Sequence, residues 1–409
     1  MRIGIAVLVL LYLGFWALLG AAVTGETDLD AFFFPSALKA ASGDVFGIYS
    51  VRFMDYYPNA NGPLSQLPLT LVALALKARG LETHRSARVI VTMVAFAPFC
   101  LLMAREAVLA CDRILGSRIA GPRRLAAYAF FALSPMLRVG LAEYGHVELA
   151  LVLWLVLWAT RLFFEERDVP AGVLLGLAML ARTAASTYVA VLLVALLSQR
   201  SWKQTLRLGV PAALVGALGI APFLIFSFKD SWYSLSRFHD LLPVFGGSFW
   251  GLAVGTRFEE FAQKRDSLVV LASAAGTTAL VLRGRPPSPR TLYGLLALAA
   301  LAFTLFIKSL WPYHLLEPFV LTGICWIGAR GLKRSLLRWS AGLLVPAATV
   351  AVGYLVWELQ KVYGDDAVGK RPSAFVALVL AACFLAVLLP LRRKEAQAAN
   401  PAGAAPLAG

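Results

Sequence analysis

Apolar residues run in long uninterrupted blocks along the chain, and short polar stretches between the blocks carry most of the charge. The first block, residues 3–23 (IGIAVLVLLYLGFWALLGAAV), contains no charged residue. A bilayer core takes roughly 20 apolar helical residues, so this block can span a membrane, and it is long for a signal-peptide core. Similar blocks recur as far as Pro390. They are rich in Leu, Ala and Val without period-2 alternation, which favours helices over a barrel. The pattern predicts an all-α, polytopic membrane helix bundle of about twelve spans. They fall at 3–23, 89–109, 125–137, 147–164, 170–181, 184–197, 206–228, 267–282, 291–308, 315–330, 339–357 and 373–390. Several are short, and half-length helices meeting at membrane depth are tolerated where they line a cavity.

The first polar stretch, residues 26–63, differs from the others. Asp28 and Asp30 directly follow the first block. Residues 31–41 then place Phe33, Phe34, Ala37, Leu38 and Ala41 at helical spacing, as in a helix lying at the membrane interface. A Gly-Asp turn and an Asn-Gly-Pro turn close the stretch. Residues 63–78 are apolar but short and interrupted by Pro68, so by length alone they either span or lie on the surface. Charge decides between the two. If they lie on the outer surface, the basic loop at 111–124 falls inside, together with every later basic cluster. Those clusters are Arg113/Arg118/Arg123/Arg124, Arg200/Lys203/Arg207, Arg283/Arg285/Arg290, Lys333/Arg334/Arg338 and Arg392/Arg393/Lys394. Both termini then lie inside and the first polar stretch outside. The chain divides into a module at 1–228, an outer loop at 229–266, C-terminal spans at 267–390 and a small-residue tail at 391–409 that reads as disordered.

Composition excludes a soluble protein, since 59% of residues are hydrophobic, 15% are charged, and mean hydropathy is +0.73. The net charge of +15 is dispersed among the inward loops, so it predicts contact with membrane lipids and no nucleic-acid partner. The four cysteines, Cys100, Cys111, Cys325 and Cys383, fall in or beside spans and have neither metal-ligand spacing nor the pattern of a disulfide framework.

With that orientation, ionisable residues gather at the outer helix ends. They are Asp28 and Asp30, then Glu143, His146 and Glu148, then Arg182, and finally Lys308 and His314. Charge at membrane depth is costly and marks function by default. Each residue also has a plainer reading. Asp28 and Asp30 can be exposed loop carboxylates, Lys308 can snorkel to the interface, and His146 with Glu148 can close a helix end. Arg237 and His239 in the 229–266 loop read as solvated, and Asp365–Asp366 as an ordinary turn.

The order of these features resembles GT-C type integral-membrane glycosyltransferases, in the branch that uses polyprenyl-phosphate sugars and includes mannosyl and aminoarabinosyl transferases. The resemblance rests on Asp28 after the first helix, Gly43-Asp44 and Asn61-Gly62-Pro63-Leu64. It continues through GLETHRSARV, GPRRLAAYAFFALSP, the outer-turn acid Glu148 and the LLGLAMLART stretch ending in Arg182. It covers roughly the first 200 residues, with a looser match over 308–318. His146 to Glu148 stands where some members have Gln-x-Asp.

The resemblance implies an inverting transfer from a polyprenyl-phosphate donor to a glycolipid, polysaccharide or protein acceptor of the cell envelope. The compact loops point to a prokaryotic inner membrane, and the resemblance places the active site on its periplasmic or extracellular face. Asp28 is the first choice for general base and Asp30 the second. Arg182, Lys308 and His314 are the implied phosphate ligands, and Glu148, His146 and Glu143 position the acceptor or the loop. No cofactor is required, although Asp-x-Asp spacing permits a divalent metal. A transporter or flippase of a lipid-linked substrate is the rival, because it too places charges between broken helices.

Overall fold

The computed structural model describes residues 2–23, 25–55, 57–199, 201–242, 244, 248–330, 336–363 and 370–399. These are almost entirely helical, as expected. The helices are α1 (Arg2–Ala21), α2 (Phe34–Ala41), α3 (Pro63–Lys77), α4 (Arg85–Leu115), α5 (Pro122–Ala132), α6 (Pro135–Leu137), α7 (Glu148–Phe164), α8 (Asp168–Ala181) and α9 (Ser186–Ser198). Then come α10 (Trp202–Phe226), α11 (Phe228–Trp232), α12 (Phe238–Leu241), α13 (Glu259–Leu282), α14 (Pro289–Phe306), α15 (Leu316–Arg330), α16 (Leu336–Tyr363) and α17 (Lys370–Ala399). A short antiparallel ribbon pairs β1 (Arg52–Phe53) with β2 (Tyr57–Pro58). Among the described residues, 6 stretches are long and apolar enough to cross a membrane: Arg85–Leu115, Pro122–Glu143, Trp202–Phe226, Glu259–Leu282, Pro289–Phe306 and Pro372–Leu391.

Helix α7 sits at the centre, between α4 and α8, and α14 and α15 pack together beside α4. The middle stretches of these interior helices are apolar on most faces, with charged residues chiefly towards the ends. The apolar window of α14 is 83% buried, whereas that of α10 is only 17% buried. The outer helices turn their leucines away from the protein: Leu8, Leu10, Leu11 and Leu18 on α1, and Leu214, Leu218, Ile225 and Phe226 on α10. A belt of outward apolar side chains is stable against lipid and costly in water.

Several local departures from the sequence reading have simple causes. The helix expected over 125–137 ends at Ala132, because Pro135 lacks the N–H that would continue it; Ser134 instead caps a new turn through Met136 N–H. A π-type turn, Arg138–Glu143, then carries the chain to α7. The residues at 63–78 form α3, which buries Leu69, Val72, Ala73 and Leu76 and exposes Leu67, Leu71 and Leu74. The 229–266 loop is folded: it holds α11 and α12, and α13 already begins at Glu259. Helix α17 runs past Pro390 to Ala399. Arg200, Lys333, Arg334, the Asp365–Asp366 turn and the tail from 400 lie outside the described residues.

The two ends of α7 carry different chemistry. At its C-terminal end Arg161 binds the buried Glu106 of α4 at 2.8 Å, and Arg113 pairs with Glu165 at 3.5 Å. At its N-terminal end the chain after α1, the turn before α7, the end of α8 and the start of α15 come together. Two glycines permit this. Gly145 adopts a φ of +76°, and a Cβ there would lie 2.6 Å from Leu29 N, so only glycine lets this turn close on the Asp28 loop. A Cβ on Gly62 would lie 2.0 Å from Leu180 O, and the Gly62 N–H donates to Ala181 O at 3.2 Å. The Asn-Gly-Pro turn therefore docks on the end of α8.

Candidate functional site

The residues at this end are built outward from His146. The turn before α7 is held by His146 N–H donating to Gly140 O at 2.8 Å, and the Asp28 N–H donates to Tyr144 O at 3.1 Å. The imidazole then lies between two carboxylates. Its Nε2 is 2.9 Å from Asp28 Oδ2 and its Nδ1 is 2.8 Å from Glu148 Oε1. Tyr313 stacks on one face of the ring at 3.7 Å between centroids, and Phe33 meets it edge-on at 5.2 Å.

An imidazole can donate from both nitrogens only when doubly protonated. Burial opposes that charge, but Glu148 and Asp28 outweigh it and hold the His146 pKa up at about 9. The two carboxylates differ in access. Glu148 is 1% exposed in its side chain, and its Oε2 is buried without a hydrogen bond; the Asp28 side chain remains 36% exposed.

Because the folded-state pKa of His146 is raised, its contribution to stability is fully present below the ordinary imidazole value of about 6.5. It is lost as pH rises through about 9. The expected result is a thermal midpoint in detergent that falls between neutral pH and pH ~10 in the wild type and stays flatter in His146→Gln. Parallel loss in both proteins would remove His146 as the titrating group.

A second buried network lies alongside. Arg182 ends α8 in an extended conformation, and its Nη1 donates to Glu317 Oε1 at 2.9 Å. The other oxygen of Glu317 accepts from Tyr188 Oη at 2.5 Å, and the Arg182 guanidinium lies over Phe303 at 5.6 Å. Arg182 is also within electrostatic reach of Glu148, Tyr313 and His314. His314 accepts from Trp311 N–H through Nδ1 at 3.2 Å. Burial, then the charges of Arg182 and His146, push its pKa well below the ordinary value and keep it neutral. With His314 neutral, the carboxylates of Asp28, Glu148 and Glu317 face the two cations His146 and Arg182.

The remaining sequence-selected residues lie in other arrangements. Both oxygens of Asp30 are taken, Oδ2 by Arg85 at 3.1 Å and Oδ1 by Arg88 at 3.2 Å, and its side chain is 7% exposed. Arg85 also ties down the chain after α1 through Val23 O and Gly25 O. Glu143 pairs with the exposed Arg138 at 2.7 Å; both line a cavity of about 260 Å³ that also includes Glu26 and Thr27.

Lys308 belongs to the outer-loop cluster. Its ammonium donates to the carbonyls of His239 and Gln263, and its backbone N–H donates to Asp266 Oδ2 at 2.9 Å. His239 is not simply solvated, since its Nε2 bonds Asp266 Oδ1 at 3.0 Å. Among the described residues no group of three or more His, Cys, Asp and Glu side chains is arranged to hold a metal ion.

Sequence reasoning missed Glu317, Tyr188 and Tyr313. Glu317 had a readable signal: it is a single acid inside an apolar run, the criterion that selected Arg182. The tyrosines had none, because an aromatic residue in an apolar segment looks like core. The chain matches no protein-family profile and no curated protein sequence.

Proposed function

We propose that the protein is a GT-C type membrane glycosyltransferase that moves a sugar from a polyprenyl phosphate to a lipid-linked or other cell-envelope acceptor. The chain crosses an inner membrane about twelve times, with the short helices α8 and α9 among the crossings, and reacts at its non-cytoplasmic face. One observation carries this reading: a partly exposed carboxylate, Asp28, has one oxygen held at 2.9 Å by the buried His146 ring, which is itself held by Glu148. Asp28 accepts the proton of the acceptor hydroxyl as that hydroxyl attacks the anomeric carbon from the side opposite the phosphate, giving inversion. Asp30 is the second choice, because Arg85 and Arg88 occupy it.

His146 and Glu148 fix the direction in which Asp28 points, with Glu148 buried behind the imidazole. Arg182 stabilises the departing phosphate, although it shares its charge with Glu317. Arg85 and Arg88 exceed Asp30 by one positive charge and are further phosphate candidates. The neutral His314 serves as a hydrogen-bond partner. Lys308 serves the outer loop, and Glu143 positions the loop beside Thr27.

The rival reading, transport or flipping of a lipid-linked substrate, draws on the buried Arg182–Glu317–Tyr188 network between helix ends. The discriminating experiment supplies the purified full chain with radiolabelled polyprenyl-phosphate mannose, glucose or arabinose and an envelope lipid extract. Transfer of label to a new product is expected. Movement of the donor across reconstituted vesicles with no product would replace the transferase reading with the transport one.

A further inference from the structure

Four aromatic rings from two separate segments converge beside Asp28. Tyr313 stacks on His146 at 3.7 Å, Tyr144 meets Tyr313 at 5.4 Å, and Trp311 meets Tyr144 at 6.3 Å. The Trp311 and Tyr313 planes are parallel within 7° at 6.4 Å. Tyr313 is buried against the imidazole, whereas Tyr144 and Trp311 are only half-buried. Tyr144 is also bound to Asp28 directly, since its carbonyl accepts the Asp28 N–H. Tyr313 belongs to the hydrophobic core, and Tyr144 and Trp311 pack at its edge, where burial is incomplete. Tyr313, which Tyr144 and Trp311 both meet, stacks on His146, a contact that anchoring at the membrane interface does not require.

We infer that Trp311, whose plane parallels that of Tyr313, forms a stacking platform that seats a sugar ring next to Asp28, with Tyr144, at 69° to Trp311, as its side wall. This deepens the transferase reading and rests on it. A sugar ring has an edge of hydroxyls and a face of C–H bonds. It is held best where an aromatic surface covers the face and carboxylates meet the edge, and this end of the bundle sets both side by side. The ring belongs either to the donor or to the acceptor, and the chemistry of the platform is the same for both. Aromatic rings beside carboxylates also suit a quaternary ammonium group, which is the competing ligand.

The test measures binding and does not depend on turnover. The full chain, in lipid nanodiscs and labelled with 5-fluorotryptophan, is titrated separately with the methyl glycosides of mannose, glucose, galactose and arabinose, with polyprenyl-phosphate mannose, and with choline. The Trp311 fluorine signal is identified by its loss in Trp311→Phe. A sugar-dependent shift of that signal in otherwise wild-type protein is expected. Affinity should fall about fivefold in Tyr144→Leu and hold in Tyr144→Phe.

Response to polyprenyl-phosphate mannose but to no free glycoside assigns the platform to the donor; response to free glycosides extends it to the acceptor. A Trp311 signal unmoved by every sugar, or moved only by choline, overturns the inference. Asp28→Asn separates the two proposals. It stops transfer if the transferase reading holds, whereas the aromatic face remains and the sugar-dependent shift of Trp311 persists at weaker affinity. A protein that binds sugar but never transfers it keeps the platform and loses the transferase.

Discussion

Asp28→Asn lowers kcat for sugar transfer by about 10³-fold while leaving the affinity for the polyprenyl-phosphate donor within a few-fold of wild type. The amide keeps the size of the carboxylate but cannot take a proton from the attacking hydroxyl. The fold should tolerate the change, because Asp28 is partly exposed and its backbone N–H stays bound to Tyr144 O. The buried His146 retains Glu148 as a partner at 2.8 Å. Asp30→Asn should behave differently. Its carboxylate joins Arg85 and Arg88 to the chain after α1, so its loss appears chiefly as a lower thermal midpoint. Steady-state transfer and thermal unfolding, measured on both variants, separate the two roles. Wild-type kcat in Asp28→Asn would remove Asp28 as the base, and a large kcat loss confined to Asp30→Asn would transfer the role.

Arg182→Leu should destabilise the protein by about 3–5 kcal/mol, the largest stability effect expected of any single substitution here. Leucine leaves Glu317 as a buried carboxylate with only the Tyr188 hydroxyl to meet it, and the side chain of Glu317 is just 4% exposed. The double variant Arg182→Leu/Glu317→Leu should recover most of that loss, since it removes both charges and leaves apolar groups in an apolar surrounding. Denaturant unfolding in detergent measures both. An unchanged midpoint in the single variant would show that the pair does not hold α8 to α15. The double variant also isolates the chemical role of Arg182. If it is stable yet binds donor tightly, Arg182 does not hold the phosphate.

Much of this arrangement was legible in the chain. Continuous apolar blocks allow only helices, because a backbone away from water must satisfy its own hydrogen bonds, and the described residues are helical almost throughout. The sequence also placed Asp28, His146, Glu148, Arg182 and His314 at helix ends, and the structure gathers these five at one end of the bundle. That much needs only helix lengths and the alternation of direction from one helix to the next.

Which residue at a shared end meets which other residue is a different kind of information. Asp28 and Asp30 look equivalent in sequence. The π-type turn Leu29–Phe33 that begins between them sends one towards His146, 118 positions away, and the other to Arg85 and Arg88. Lys308 looked like a partner of Arg182, yet the folded outer loop takes its ammonium with two backbone carbonyls. Glu317 reaches Arg182 across 135 positions. By itself the sequence determined the all-helical class, most of the long apolar helices and the polar character of one shared end. The pairing of Asp28 with His146, the capture of Asp30 and Lys308, and the meeting of Arg182 with Glu317 were decided only by tertiary packing. Hydrophobic pattern fixes how far along a helix a side chain lies, whereas ion pairing depends on how each helix is rotated and which neighbour it packs against, and local sequence encodes neither.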